Sequence, residues 1–263
     1  MRNFFAVTLA LFFALASLVL ACIACAGSTK NYYPINEIFS AQLDLSKLSV
    51  SSVFPEVGSI SLTQLGLPDY INIGLWSYCI GTSKDSVSSC TSPGGIQTFN
   101  LKTILKDNIE NNQVLSLIDD VANIVLPEEL QDKIGFYNGL VRCMFITLII
   151  GIVLTFLNLV VNIIRWFLHF AFVNVVGGLL AFLSFASLLI SVGTNMGTYI
   201  FIRHILNKNY SEYGIELSLG RKFLALMWAS VVAALLNIIA WMFVRQRRKV
   251  VYVHQPHDEK PYY

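Results

Sequence analysis

Four stretches of the chain carry no charged residue at all: Asn3 to Thr29, Cys143 to Ile164, Phe170 to Ile202 and Phe223 to Val244. Each matches or exceeds the roughly 20 residues that a helix needs to cross about 30 Å of hydrocarbon. A soluble core has no use for four such runs. They are read as four transmembrane helices at 4–26, 143–164, 174–200 and 223–244. Composition agrees, because only 13% of the 263 residues are charged, against about a quarter in a soluble domain. The net charge of +2 is too small for an electrostatic footprint on nucleic acid, and no nucleic-acid partner is expected. The fold class is an α-helical membrane protein, a four-helix transmembrane bundle.

The first run also begins as a signal peptide would, with Arg2 ahead of an apolar stretch. Its apolar part is longer than the roughly 7–15 residues of a signal core, and Ala24-Cys25-Ala26 is a loose cleavage site. It is read as a retained helix, with a signal peptide as the alternative. Orientation follows from Lys and Arg beside the spans. Arg2, Arg165 and the cluster Arg245, Arg247, Arg248 and Lys249 mark one side as cytosolic. Both termini then lie in the cytosol, while 27–139 and a short loop at 201–222 face outside. Two signals fit this topology. Asn209-Tyr210-Ser211 in the short loop is the chain's N-glycosylation sequon, which makes Asn209 a candidate acceptor. Cys79 and Cys90 in the long loop are separated by ten residues and would meet an oxidising compartment, so they are expected to form a disulfide. Closing so short a loop removes about 3 kcal/mol of unfolded-state entropy.

The long loop is too long for a tether and reads as a small external domain with two parts. Leu43 and Leu45, then Ile71, Ile73 and Leu75, recur at every second residue as strands do, punctuated by Gly58, Gly66 and Pro68. Val114, Leu117, Ile118, Val121, Ile124 and Val125 follow helical spacing, and Pro127-Glu128-Glu129 reads as a further helix start with acids in its first turn. The layout is a β-sheet followed by helices that feed the second span.

Within the strand region stands Gly74-Leu75-Trp76-Ser77-Tyr78-Cys79, with Cys90 to follow. Gly-Leu-Trp-x-x-Cys with a second Cys resembles the signature of claudin-like tetraspan proteins. Together with Ala26-Gly27-Ser28 closing the first span and a basic stop after the fourth, the whole chain resembles the fungal PalI-type family. The Trp-Cys-Cys motif alone marks only the wider claudin-like group. The resemblance implies a claudin-like extracellular sheet and structural roles for Gly74, Leu75, Trp76, Cys79 and Cys90. It further implies a non-enzymatic role at the plasma membrane. That role is organising eisosome-type domains and supporting cell-wall integrity and stress tolerance, nitrogen starvation included. The alternative is an accessory sensor subunit in ambient pH or stress signalling, against which the short tail at 245–263 weighs. The first loop is longer than in claudins that seal cell contacts, which argues against a paracellular-type channel.

No catalytic constellation is expected, and no metal or cofactor. His169, His204, His254 and His257 lack a Cys, His or acid at ligand spacing, and Asp119-Asp120 and Glu128-Glu129 read as surface charge. No charged residue lies well inside a span, so the relays of ion-coupled transporters are missing. Amides and small residues fill the spans instead. Asn158 and Asn162 share one helix face and need buried partners, with Asn237 and Asn195 as candidates. Gly177, Ala181, Ser184, Ser187, Ser191 and the pair Gly193 and Gly197 permit close helix approach, either within one bundle or between copies in homo-oligomers or lateral clusters. Arg245, Arg247, Arg248 and Lys249 are positioned to contact anionic inner-leaflet lipids, at about 1 kcal/mol per basic residue near the surface. Cell-wall components and eisosome proteins are further possible partners.

Overall fold

The computed structural model describes residues 2–47, 68–83, 86–96, 128–167, 171–210 and 216–243. Four helices form the bundle: α1 (Arg2–Cys25), α2 (Glu128–Phe167), α3 (Ala171–Tyr210) and α4 (Arg221–Met242). Each contains a stretch long and apolar enough to span a membrane: Phe4–Cys25, Gly135–Phe167, Phe172–Ile205 and Arg221–Met242. They pack as a ring in which α1 touches α2 and α4, and α3 touches α2 and α4. Side chains such as Phe12, Val153, Phe182 and Val232 point outward, exposed on the bundle's flanks. In water that would be costly. In lipid it is the expected surface, since tails are as apolar as these side chains.

A five-stranded antiparallel sheet caps one end. Its strands are β1 (Ala41–Asp44), β2 (Tyr70–Ile73), β3 (Tyr78–Ser83), β4 (Ser86–Cys90) and β5 (Glu216–Leu219), in the order β4-β3-β2-β1-β5. The expected alternation places Leu43 in β1 and Ile71 and Ile73 in β2, all buried, with Leu45 and Leu75 buried just past the strand ends. In register, Leu43 faces Ile71 on one side and Leu217 of β5 on the other. β5 was not foreseen. It is the segment between the third and fourth spans, added to the free edge of β1.

The boundaries differ from the sequence reading in two places. α2 starts at Glu128, where a helix start was expected, but runs unbroken into the second span, and α3 continues to Tyr210; each is 40 residues long, so each measures about 60 Å. That is about twice the hydrocarbon thickness. The extra length lies at the sheet end, where it is held by packing rather than by lipid. Tyr137, Val141, Met144 and Leu148 of α2, and Tyr199, Ile202 and Ile205 of α3, are buried at helical spacing. Tyr199 also hydrogen-bonds Ser40, next to β1. The stretch 201–222 is therefore not one loop: its first half is helix and its second half contains β5. Asn209 lies in the last turn of α3. The helix expected over Val114 to Val125, the turns at Gly58 and Gly66, the basic tail from Arg245, and His169, His254 and His257 fall outside the described residues.

Candidate functional site: a clamped collar and a polar seam

The junction between sheet and helices is built on the Gly-Leu-Trp string. α1 ends at Cys25, and the chain turns at Ser28, whose φ of 58° is left-handed. A non-glycine residue rarely adopts that region. Here the backbone and side chain of Ser28 are tied down together: its N–H donates to Ile35 O, its hydroxyl donates to Ile38 O at 3.0 Å, and its carbonyl accepts from the Ser77 hydroxyl. Gly74 presses against this turn. A Cβ there would stand 2.7 Å from both Ser28 Cβ and Ser77 O, so only glycine lets the β2–β3 connection approach so closely. Leu75 is buried among Ala21, Ala24, Met144 and Phe145 of the helices. The Trp76 ring meets Phe145 edge to face, with centroids 4.6 Å apart, a geometry worth about 0.5–1.5 kcal/mol beyond area burial. Glycine gives the approach, leucine the plug and tryptophan the aromatic contact with α2.

Cys79 and Cys90 are directly opposed on β3 and β4 and form a disulfide. The Cys79 sulfur rests 3.3 Å from Ser28 O, so the bridge abuts the same turn as Gly74. At the far edge of the sheet Lys47 donates to Glu216 at 2.9 Å, spanning β1 and β5. The hydrogen bond to Glu216, and after it the Glu216 charge, push the Lys47 pKa above the ordinary lysine value of 10.5.

Toward the opposite end the bundle holds a buried amide cluster. Asn158 Nδ2 donates to Gly177 O at 2.7 Å, while its Oδ1 accepts from Asn162 Nδ2 at 3.0 Å and from Asn237 Nδ2 at 2.8 Å. Asn158 therefore links α2 to α3 and α4 at once. Asn237 is a partner, as expected, but Asn195 is not. It lies 18 residues along α3 from Gly177, about 27 Å away at 1.5 Å per residue, and neither of its buried amide atoms has a partner among the described residues.

Hydroxyls supply the other links. Ser17 and Ser230 exchange hydrogen bonds between α1 and α4, each donating to the other's carbonyl, at 3.0 and 2.9 Å. Ser187 donates to Thr147 O and Ser191 to Met144 O, joining α3 to α2. Gly177 faces the Trp241 ring, where a Cβ would come within 2.4 Å. Gly193 and Gly197 behave differently: both are exposed, and a Cβ added at either would meet nothing within 4 Å. Packing within the bundle is thus the work of Gly177, Ala181, Ser187 and Ser191, and the Gly193/Gly197 face points out of it.

Arg165 was read as a topology charge alone. It is in fact 6% exposed, with its guanidinium carbon 5.0 Å from the centre of the Trp241 ring. The charged residues of the spans, Arg142, Arg165, Arg203, Arg221 and Lys222, all lie toward span ends. Among the described residues no three His, Cys, Asp or Glu side chains are grouped closely enough to hold a metal ion.

The sequence that builds these features has counterparts among known proteins. The SUR7/PalI family model matches residues 6–240. The chain belongs to the SUR7/PalI family. Protein PUN1 of Saccharomyces cerevisiae is 54% identical over 261 residues, covering 99% of each chain. The SUR7 family protein pun1 of Schizosaccharomyces pombe is 32% identical over 180 residues, covering 66% of this chain and 59% of its own. The SUR7/PalI match takes in all four spans but for two residues at the chain-terminal end of the first and two at that of the fourth, together with the collar and the amide cluster, so both structural features lie within the family domain.

Proposed function

We propose that this multi-pass membrane protein is a non-enzymatic organiser of eisosome-type domains in the plasma membrane, supporting cell-wall integrity and tolerance of stress such as nitrogen starvation. Both termini lie in the cytosol, and the disulfide-clamped sheet faces outward toward the wall. The observation that carries the reading is the division of labour among the span residues. Amides and hydroxyls lock the helices to one another, charged side chains keep to the span ends, and the Gly193/Gly197 face is left open to lipid. A fixed bundle with an unoccupied close-approach face suits lateral association of copies, because two helices meeting at small residues gain backbone-to-backbone packing. The basic cluster Arg245, Arg247, Arg248 and Lys249 would add attraction to anionic inner-leaflet lipids.

The test replaces Gly193 and Gly197 together with Leu and follows patches of a fluorescently tagged protein at the cell surface. Since both positions open onto empty space, the variant is expected to fold and reach the surface while its patches disperse. Patches unchanged in number and brightness would refute association through this face.

A further inference from the structure

A groove of about 380 Å³ runs between α3 and α4 at the end of the bundle away from the sheet. α3 supplies Asn174, Gly178 and Phe182 to its walls, and α4 supplies Ile238, Trp241 and Met242. Asn174 lies in the first turn of α3 and Trp241 in the last turn of α4, so both stand at the level where the spans end. Phe182 follows two turns further along α3, about 12 Å deeper at 1.5 Å per residue. Phe182 and Met242 are exposed, which leaves the groove open to lipid along its side. It therefore has a polar head and an apolar length.

The polar head is incomplete. Trp241 is 8% exposed, yet its indole N–H has no acceptor among the described residues. Asn174 Oδ1 is buried and has no donor among them. Buried polar groups left in this way are costly. The Trp241 ring is held from two sides. The Arg165 guanidinium lies over its face, and Gly177 admits its edge: Cε2, the carbon bonded to Nε1, is 3.2 Å from where a Gly177 Cβ would stand. The N–H is thus carried on the side of the ring that meets α3, the helix bearing Asn174 one turn before Gly177. A donor and an acceptor on facing helices, not bonded to each other, match one hydroxyl group, which accepts from the first and donates to the second. An oxyanion or an ester carbonyl only accepts and would leave Asn174 Oδ1 as it is.

We propose that the groove binds one membrane sterol, its hydroxyl set between Trp241 Nε1 and Asn174 Oδ1 and its fused rings lying over Gly178. A Cβ added at Gly178 would meet nothing within 4 Å, so this glycine flattens the groove wall and plays no part in packing the bundle. A rigid ring system loses less conformational freedom on binding than a flexible acyl chain. Its single hydroxyl sits at the membrane surface, the level of the two polar atoms, while the rings point inward along the groove. The volume lies within the range of about 300–1,000 Å³ typical of small-molecule sites. The site does not rest on the organising role, and either reading can fail while the other stands.

The test places the full chain in phosphatidylcholine nanodiscs, whose lipids carry no hydroxyl, with a photoreactive diazirine sterol as the probe. Labelling is expected to saturate at one sterol per chain, to fall on 174–182 and 238–242, and to be displaced by ergosterol. Ergosteryl acetate, whose blocked oxygen cannot donate, should compete about tenfold more weakly or worse. Gly178→Leu fills open space beside the helix and is expected to abolish saturable labelling. Trp241→Phe keeps a ring beneath Arg165 but removes the N–H, and is expected to weaken sterol binding about threefold to tenfold. Thermal unfolding without sterol verifies that both variants fold. Labelling that does not saturate, equal competition by the acetate, or unchanged labelling of folded Gly178→Leu overturns the proposal. Dioleoylglycerol competing as well as ergosterol overturns the sterol as occupant.

Discussion

Replacing Asn158 with Leu removes the hub of the amide cluster while nearly preserving side-chain volume. Two interhelical hydrogen bonds disappear, to Gly177 O on α3 and from Asn237 on α4. Such bonds in membrane proteins average about 0.6 kcal/mol each, giving about 1.2 kcal/mol. Asn237 Oδ1 already has no partner among the described residues, so the substitution leaves the whole Asn237 amide unpaired in an apolar interior, at a further cost of about 1–3 kcal/mol. The expected loss is about 2–4 kcal/mol. Asn237→Leu should cost under about 1 kcal/mol, since Asn158 Oδ1 keeps its bond from Asn162 and no amide is stranded. The double variant should then be no less stable than Asn158→Leu alone, because the stranded amide is gone. Unfolding in mixed maltoside–dodecyl sulfate micelles, followed by tryptophan fluorescence, gives the cycle. Single-variant losses that add to within about 0.5 kcal/mol would refute the reasoning, because independent sites cannot share a hub.

Two other outcomes follow from the collar and the sheet edge. Gly74→Ala places a methyl 2.7 Å from Ser28 Cβ and Ser77 O and should destabilise the sheet–helix junction by about 1–3 kcal/mol, the usual range for overpacking. It would be read as faster reduction of the Cys79–Cys90 bond in the folded protein. The Lys47–Glu216 pair raises the Lys47 pKa above 10.5. Its contribution is therefore fully present below the unfolded lysine pKa and fades as pH rises through the higher folded value. Thermal unfolding from pH 9 to about 12 should show a small extra loss above 10.5 that Lys47→Met lacks, and identical profiles would count against the pair.

The spans were legible because lipid demands apolarity from every residue of a crossing helix, so the signal is summed over 20 or more positions. Strands β1 and β2 were legible for a related reason: Leu43, Ile71 and Ile73 alternate with Gln42 and Asn72, so one sheet face is apolar and the other carries amides, though both are buried. β5 offered only four residues, Glu216-Leu217-Ser218-Leu219, and its pairing with β1 is a contact across more than 170 positions that no local pattern encodes. The start of α2 at Glu128 was legible in Pro127-Glu128-Glu129, but its unbroken run into the second span and the length of α3 escaped for the opposite reason. Lys, Arg and Asn near their ends looked like span borders, but helices continue past lipid wherever Tyr137, Tyr199 and Ile202 find protein to pack on. Asn158, Asn162 and Asn237 could be paired in advance, since buried amides must find partners. Ser17 with Ser230 could not, because isolated serines in apolar helices are common. Gly193-x-x-x-Gly197 declared close approach without declaring to what, and only the bundle's geometry separated it from Gly177. Arg165 was the least readable, since a charge at a span end looks the same whether it meets water or lies under Trp241.

The central claim is that the protein resides in and helps build eisosome-type domains. The most direct measurement is live-cell imaging of the tagged protein beside an eisosome marker, before and during nitrogen starvation. The account predicts stable patches that coincide with the marker and grow brighter on starvation. A uniform surface distribution, or patches separate from the marker in both conditions, would contradict it.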